Sequence, residues 1–490
     1  MASRRDFLKY SLLGSAAAFL PSDVFARLRP LSETEGRIRI RGKVSSGALP
    51  VKGAVVSDGF QTAVTSSDGT YELVTSSDAR FVHCSVPSGY ILPVNEKGIA
   101  QHYRRITPRS NGEFTASFDL AKNPADDRNH VFFALGDTQM LDKQDMERFH
   151  KESVPDIAAS VKKYAGMGMF GVTVGDIVFD KPDLYPDYIE GVAGTGLPFL
   201  QVLGNHDVVP GSKSDEMSAA GFEEKFGPAY YSFNRGEVHY VVLDDVFWFS
   251  GYIGYIPDHQ LRWLQRDLQH LEKGSRVVIF THIPVYCRQH ERNDKKSPSN
   301  SLVVTNREML YRILEPYKTT IICGHTHESE YIQDGGCSID IIGAVCGAWW
   351  TSDICGDGTP NGYAVYEVNG STLNRRYKGT GKPDGYQMEA MVYSRDGRKY
   401  LAANVWAADS GWEISLYKGA DSLGLMTREL AKDSRAVDLF DGDGMPAKHP
   451  WVGAYMTDHL FVKEITGEKG TYTVEALEPS GKKHVLKYEV

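Results

Sequence analysis

Cysteine is scarce in this chain, six residues among 490. They stand at Cys84, Cys287, Cys323, Cys337, Cys346 and Cys355, and none forms a C-x-x-C pair. That spacing excludes a zinc knuckle and a thioredoxin-type motif. Disulfide pairing among Cys337, Cys346 and Cys355 stays open, with buried free thiols the simpler expectation for a chain with this much core. Past the N-terminal segment, no uncharged apolar run is long enough to cross a bilayer. Positive charge is also short, 54 Lys and Arg against 63 Asp and Glu for a net charge of −9, which argues against a nucleic-acid surface. What remains is the composition of soluble globular protein, 41% hydrophobic and 24% charged. At this length the chain should divide into roughly two to four domains.

The first 26 residues read as a separate segment. Ser3-Arg4-Arg5-Asp6-Phe7-Leu8-Lys9 precedes the apolar stretch Leu12 to Leu20, and Val24-Phe25-Ala26 ends it with a small residue. This order is that of a twin-arginine export signal cleaved near Arg27, which implies a periplasmic or cell-surface location in a bacterium. From residue 36 to 121 short strands alternate with turns, as in Arg37-Ile38-Arg39-Ile40-Arg41 and Ser67-Asp68-Gly69-Thr70-Tyr71, and predict a small β-sandwich. With Val51 to Gly59 it resembles the transthyretin-like modules of secreted enzymes. Tyr90, in Pro87-Ser88-Gly89-Tyr90, is expected to pack on this sandwich rather than bind a glycan.

After the polar linker Lys122 to Asn129 the pattern changes to strands alternating with helices, the mark of an α/β domain. Val131–Leu135 runs into Gly136-Asp137-Thr138-Gln139. Phe170–Val174 runs into Gly175-Asp176-Ile177-Val178-Phe179-Asp180, and Leu197–Val202 into Leu203-Gly204-Asn205-His206-Asp207. Arg276–Phe280 closes on Thr281-His282, and Thr320–Cys323 on Gly324-His325-Thr326-His327. Each apolar run thus ends in carboxylate, amide or imidazole side chains at the carboxyl edge of a sheet, where open α/β folds place their chemistry. Any one of them is an ordinary cap or turn residue. The regularity of the set points to a shared site.

These motifs resemble those of the calcineurin-like metallophosphoesterase superfamily, D-x-H, G-D-x-x-D, G-N-H-D, H and G-H-x-H in this order, over roughly residues 129 to 370. The resemblance implies a four-layer αββα sandwich flanked by N-terminal and C-terminal β domains, with two divalent cations at the strand ends. It assigns Asp137, Gln139, Asp176 and His327 to the first cation and Asp176, Asn205, His282 and His325 to the second. His206 would protonate the leaving oxygen and Asp207 would orient it. Two cations about 3.5 to 4 Å apart need a shared anionic ligand, here Asp176, and a bridging water between them gives up a proton near neutral pH. The mixed ligand set suits Mn, Fe or Zn better than calcium. Gln139 stands where the family usually has histidine, and its carbonyl oxygen is a weaker ligand that favours manganese.

Around the motifs, Trp349 and Trp350 read equally as a substrate wall or a core pair. The loop Arg288 to Lys296 reads as a solvated loop or a basic lid. From residue 373 to 490 the pattern returns to strands, a second β-rich domain, in which Asp441-Gly442-Asp443-Gly444-Met445 is taken as a turn. The expected function is an exported hydrolase of phosphomonoesters or phosphodiesters, its substrate a phosphorylated small molecule, nucleotide or lipid. A nucleotide or sugar-diphosphate pyrophosphatase shares every motif and is the nearest alternative. A non-catalytic surface protein on the same scaffold would have lost ligands, whereas only Gln139 departs. A glycosidase would give no reason for the imidazoles.

Overall fold

The computed structural model describes residues 37–109 and 111–490, so the expected export signal lies outside the described residues. Two sheets form the centre of the molecule. In the first, Phe199–Val202, Gly168–Val174 and Asn129–Leu135 run parallel, and Gly362–Asn369 and Thr372–Gly379 continue the sheet antiparallel. The second has the order Tyr231–Arg235, Val238–Val242, Arg276–Phe280, Lys318–Cys323, Cys337–Ile341 and Glu330–Asp334, parallel except at its two edges.

Alternation along the strands makes four layers of these two sheets. Phe132 and Ala134 of the first sheet pack with Phe170, Tyr240, Val278 and Phe280 in the core between the sheets. Their neighbours Val131, Phe133 and Leu135 turn outward onto Phe149, Ile157 and Tyr188 of the covering helices. On the far side Val277 and Ile279 meet Trp263 and Leu264 of the helix Asp258–Leu268 and Leu310 of the helix Arg307–Leu314. This is the αββα sandwich expected from the motifs. The helical stretch after the first strand is interrupted by a π turn at Phe149–Ser153, just before Pro155, whose missing N–H cannot close an α-helical ladder.

β-rich units flank the sandwich on both sides. The N-terminal one pairs a five-stranded sheet around Arg37–Ser46 with a four-stranded sheet around Phe81–Ser85, and Tyr90 packs against its core. It docks on the edge strand Tyr231–Arg235 of the second sheet through Asn234 N–H to the Val86 carbonyl (2.8 Å) and Ser232 Oγ to Ser85 Oγ (2.9 Å). At the opposite end two four-stranded sheets pack on Leu401, Ile414, Leu416 and Val474. One boundary differs from expectation. The strand Thr372–Gly379, expected to open the C-terminal domain, pairs along its length with Gly362–Asn369 and belongs to the first central sheet. Its alternating pattern fits either sheet, so only the pairing decides its place.

The C-terminal unit is tied down through the Asp357-to-Tyr363 stretch. Asp357 accepts hydrogen bonds from the backbone of Ser329 (2.7 Å) and Thr359 (2.9 Å) and pairs with His459 Nε2 at 3.0 Å, while Asn404 donates to the Asp357 carbonyl. Asp441 is a structural turn residue as expected, accepting from Lys432 and from the Ala454 N–H. All six cysteines are buried and unpaired.

Candidate metal centre

Each strand-end motif reaches one place. Asp137, Gln139, Asp176, His325 and His327 adopt left-handed backbone conformations, with φ of 42°, 36°, 47°, 73° and 51°. Such strain in residues with a Cβ costs of order 1–3 kcal/mol each and persists where the surroundings enforce it, characteristically at functional sites. The motif glycines permit the crowding. A Cβ on Gly204 would lie 2.0 Å from the Asp176 nitrogen, and Gly175 has φ +85° with the His282 ring against it.

The three imidazoles are oriented alike. His282 donates from Nδ1 to the Val174 carbonyl (2.9 Å), His325 from Nε2 to the Ser301 carbonyl (2.9 Å), and His327 from Nδ1 to the Gly347 carbonyl (2.7 Å). Each ring therefore has one nitrogen committed to the backbone and the other turned into the cluster, the arrangement by which outer hydrogen bonds fix a ligating tautomer. His282 Nε2 lies 3.0 Å from Asn205 Oδ1, 3.2 Å from Asp176 Oδ1 and 3.2 Å from His325 Nδ1. His327 Nε2 lies 3.6 Å from Asp137 Oδ1 and has no hydrogen-bond partner. Gln139 donates from Nε2 to Asp176 Oδ2 (2.9 Å), which leaves its Oε1 buried and without a partner. Asp137 accepts the His325 N–H through both oxygens, at 3.0 and 2.9 Å.

Buried polar atoms in native proteins are almost always satisfied, so the orphaned Gln139 Oε1 and His327 Nε2 call for a partner. Carboxylate, amide oxygen and imidazole nitrogen form a donor set for a divalent cation of intermediate hardness. Among the described residues, Asp176, His282 and His325 already bring their ligand atoms within 4.8 Å of one another. The electrostatics agree. Burial, with the neighbouring Asp176 carboxylate adding to it, pushes the Asp137 carboxyl up to about 7. Burial opposes charge on Asp176 as well, but the imidazoles of His282 and His206 outweigh it and hold that carboxyl below its ordinary value. Against the cost of burial, Asp176 raises His282 to about 10. Asp137 is thus a carboxyl short of positive charge, the deficit a cation relieves.

His206 sits beside this cluster but its ring is not held by Asp207. Its Nδ1 faces Asp180 Oδ1 at 3.0 Å, and Phe179 stacks on the ring at 4.3 Å. Asp207 instead turns inward and accepts from the backbone of Gly204, Ile177 and Val178 and from the Tyr185 hydroxyl. Consecutive loop residues point apart, so adjacency in sequence does not become contact. Asp207 is a brace for the loop that carries Asn205 and His206. Asp245 was not singled out from sequence; it accepts the backbone N–H groups of His282 and Ile283, both at 3.2 Å. Nothing in its local sequence marks this role.

The centre opens into a cavity of about 470 Å³. Trp349 and Trp350 divide the two readings between them. Trp349 lines the cavity and stacks on His327 at 4.1 Å, whereas Trp350 is buried and donates from Nε1 to the Thr138 carbonyl. In the Arg288-to-Lys296 loop Arg288 and Arg292 are held by Glu330, and Arg292 also by Glu328; Gln289, Asn293 and Lys295 face the cavity. The C-terminal unit completes the wall with Lys432, Tyr455 and Met456. Its Lys448 is pinned to Asp142 and Asp145, which sets Trp451 alongside Phe179.

Comparison with known proteins places this geometry in a family. Residues 119–329 match the calcineurin-like phosphoesterase model, residues 38–123 the model for the N terminal of calcineurin-like phosphoesterase, and residues 341–484 that for its C terminal. The 3',5'-cyclic adenosine monophosphate phosphodiesterase CpdA of Escherichia coli is 23% identical over 207 residues, 38% of this chain and 70% of that protein. Human acid phosphatase type 7 is 23% identical over 160 residues, 29% of this chain and 35% of its own length. The structure of purple acid phosphatase PPD1 from yellow lupin overlaps 66% of this chain and 71% of that one, with 13% identity and a TM-score of 0.37. The three matched regions follow one another along nearly the whole described chain, and the chain belongs to the calcineurin-like metallophosphoesterases, hydrolases acting on phosphoester bonds, with that family's N- and C-terminal extensions.

Proposed function

We propose that this chain is an exported phosphohydrolase with a two-cation centre, acting on the phosphate monoester or diester of a small molecule. Export rests on the Arg4-Arg5 segment and its apolar stretch. The observation that carries the centre is that His282, His325 and His327 are each tied to a backbone carbonyl by one ring nitrogen, with the other directed at Asp176 in His282, at Asp137 in His327, and within 4.8 Å of the Asp176 and His282 ligand atoms in His325. Asp137, Gln139, Asp176 and His327 would hold one cation and Asp176, Asn205, His282 and His325 the other. Such a pair supplies an activated water and neutralises phosphate charge when bound.

The residues around it do the rest. Asp176 is shared because its two oxygens face opposite ways, Oδ1 toward His282 and Oδ2 toward Gln139. His206 lies at the mouth, with Asp180 on its Nδ1, so its Nε2 is the atom that delivers a proton to a leaving oxygen. Asp176 and Asp180 raise the His206 pKa against the effect of burial, which favours the protonated ring that this task uses.

The test is hydrolysis of p-nitrophenyl phosphate and bis-p-nitrophenyl phosphate by metal-stripped protein before and after Mn, Zn, Mg or Fe is restored. Metal-dependent turnover supports the reading. Two bound cations with no hydrolysis of monoesters, diesters or pyrophosphates contradict it.

Two further results are expected. At pH 8 His282 is protonated until a cation takes its Nε2, so metal binding releases protons. Calorimetric titration in buffers of different ionisation enthalpy will show apparent enthalpies that vary with the buffer, and binding will weaken as pH falls. Gln139→His replaces an amide oxygen by imidazole and is expected to raise affinity for zinc relative to manganese. Unchanged titrations for both metals would remove Gln139 from the ligand set.

A further inference from the structure

A second cavity, about 740 Å³ and larger than the one at the metal centre, lies where the N-terminal β unit meets the catalytic domain. Its charge is one-sided. Asp58, Asp78, Asp215, Glu216, Glu223 and Asp244 line it, against one Lys or Arg side chain, Arg80. That guanidinium is already engaged, by Glu223 at 2.8 Å and the Glu216 carbonyl at 2.9 Å. The two histidines in the wall add no compensating charge, because burial drives His83 down to about 4 and also lowers His259.

Two atoms in this wall lack partners. Asp58 is buried and uses Oδ1 for the Phe60 and Gln61 N–H groups, at 2.8 and 2.7 Å, while its Oδ2 accepts nothing. His83 is buried with Nε2 unpaired. Orphaned polar atoms in a buried wall mark a missing ligand or water. Burial pushes Glu223 up to about 7 even with Arg80 beside it, and burial with the neighbouring Asp215 carboxylate holds Asp244 well above the carboxylate range.

The form of the cavity decides which cation fits. Among the described residues, Asp176, His282 and His325 bring three ligand atoms within 4.8 Å of one another, and no three of the carboxylate or imidazole groups in this wall do so. Aromatic side chains line the same cavity. Phe60 stacks on His259 at 5.4 Å, and Tyr230 packs on the same ring at 6.0 Å. Spread carboxylates interleaved with aromatic faces recognise ammonium groups on an organic frame, by charge and by cation–π attraction.

We propose that this cavity binds a small organic amine carrying one or more ammonium groups, at a site distinct from the metal centre. The proposal does not depend on the phosphohydrolase reading. The probe is 1,4-diaminobutane, titrated calorimetrically into the full chain, with calcium chloride and sodium phosphate as controls. Saturable binding of one diamine is expected, retained in Asp176→Asn and weakened about tenfold or more in Asp58→Asn and in Asp244→Asn. Both substitutions keep an oxygen for the backbone N–H groups that the carboxylates now accept. Phe60→Leu, at a half-buried position, tests the aromatic part and should weaken binding several-fold with melting temperature unchanged. Absence of diamine binding, binding lost in Asp176→Asn, or affinity untouched by Asp58→Asn and Asp244→Asn would each overturn the proposal, as would calcium binding there more tightly than the diamine.

Discussion

Asp176→Asn is expected to lower phosphoester turnover by about a thousandfold, at the upper end of what removal of one preorganised charged group costs. The substitution keeps the size of the side chain and both of its contacts by shape, but removes the charge that faces His282 on one oxygen and Gln139 on the other. Among the described residues Asp176 is the buried carboxylate whose side-chain oxygens meet side chains of both halves. Asp137 faces the His327 ring and meets His325 through its backbone N–H alone, and Asn205 carries no charge. The loss should therefore appear in metal content as well as in kcat, with both cations weakened together. Full occupancy and near-normal kcat in Asp176→Asn would show that the shared carboxylate is not what holds the pair.

His206→Ala is the second large effect, and its signature is a dependence on the leaving group. A general acid contributes about 10²–10⁴-fold where the leaving oxygen needs a proton and little where it does not. Alkyl phosphates should lose activity in that range, whereas p-nitrophenyl phosphate, with its acidic phenol, should lose far less. Asp180→Asn should follow the same pattern to a smaller degree, because Asp180 is the group on Nδ1. Asp207→Asn should instead reduce stability and all substrates alike, since Asp207 braces the loop through Gly204, Ile177 and Tyr185. An equal loss on aryl and alkyl esters in His206→Ala would assign that histidine to binding rather than proton transfer.

The strand ends were legible in the sequence because apolar runs that stop at Gly-Asp, Gly-Asn and Gly-His carry both the sheet pattern and the chemistry in one short stretch. The glycines there are read as turns, and the structure gives them a second reason in the closeness of Asp176 to Gly204. Contacts set by loop direction were not legible. Asp207 follows His206 in the chain, yet the side chain that meets the ring comes from Asp180 of another loop. The hairpin at Thr372–Gly379 has the alternation of any half-buried strand, and only pairing reveals that it extends the catalytic sheet. The part played by the C-terminal unit was hidden for a similar reason. Lys432, Tyr455 and Trp451 sit in stretches without a motif, and reach the site through long-range docking anchored at Asp357 and Lys448. The acidic cavity has no sequence signature, since its residues come from separate turns of two domains.

The most direct test of the central claim is anomalous diffraction from crystals of the full chain loaded with manganese. Two peaks are expected on either side of the Asp176 carboxylate, one within coordination distance of Gln139 and His327 and the other of Asn205, His282 and His325. A single peak, or two peaks with Asp176 bound to neither or to only one, would contradict it.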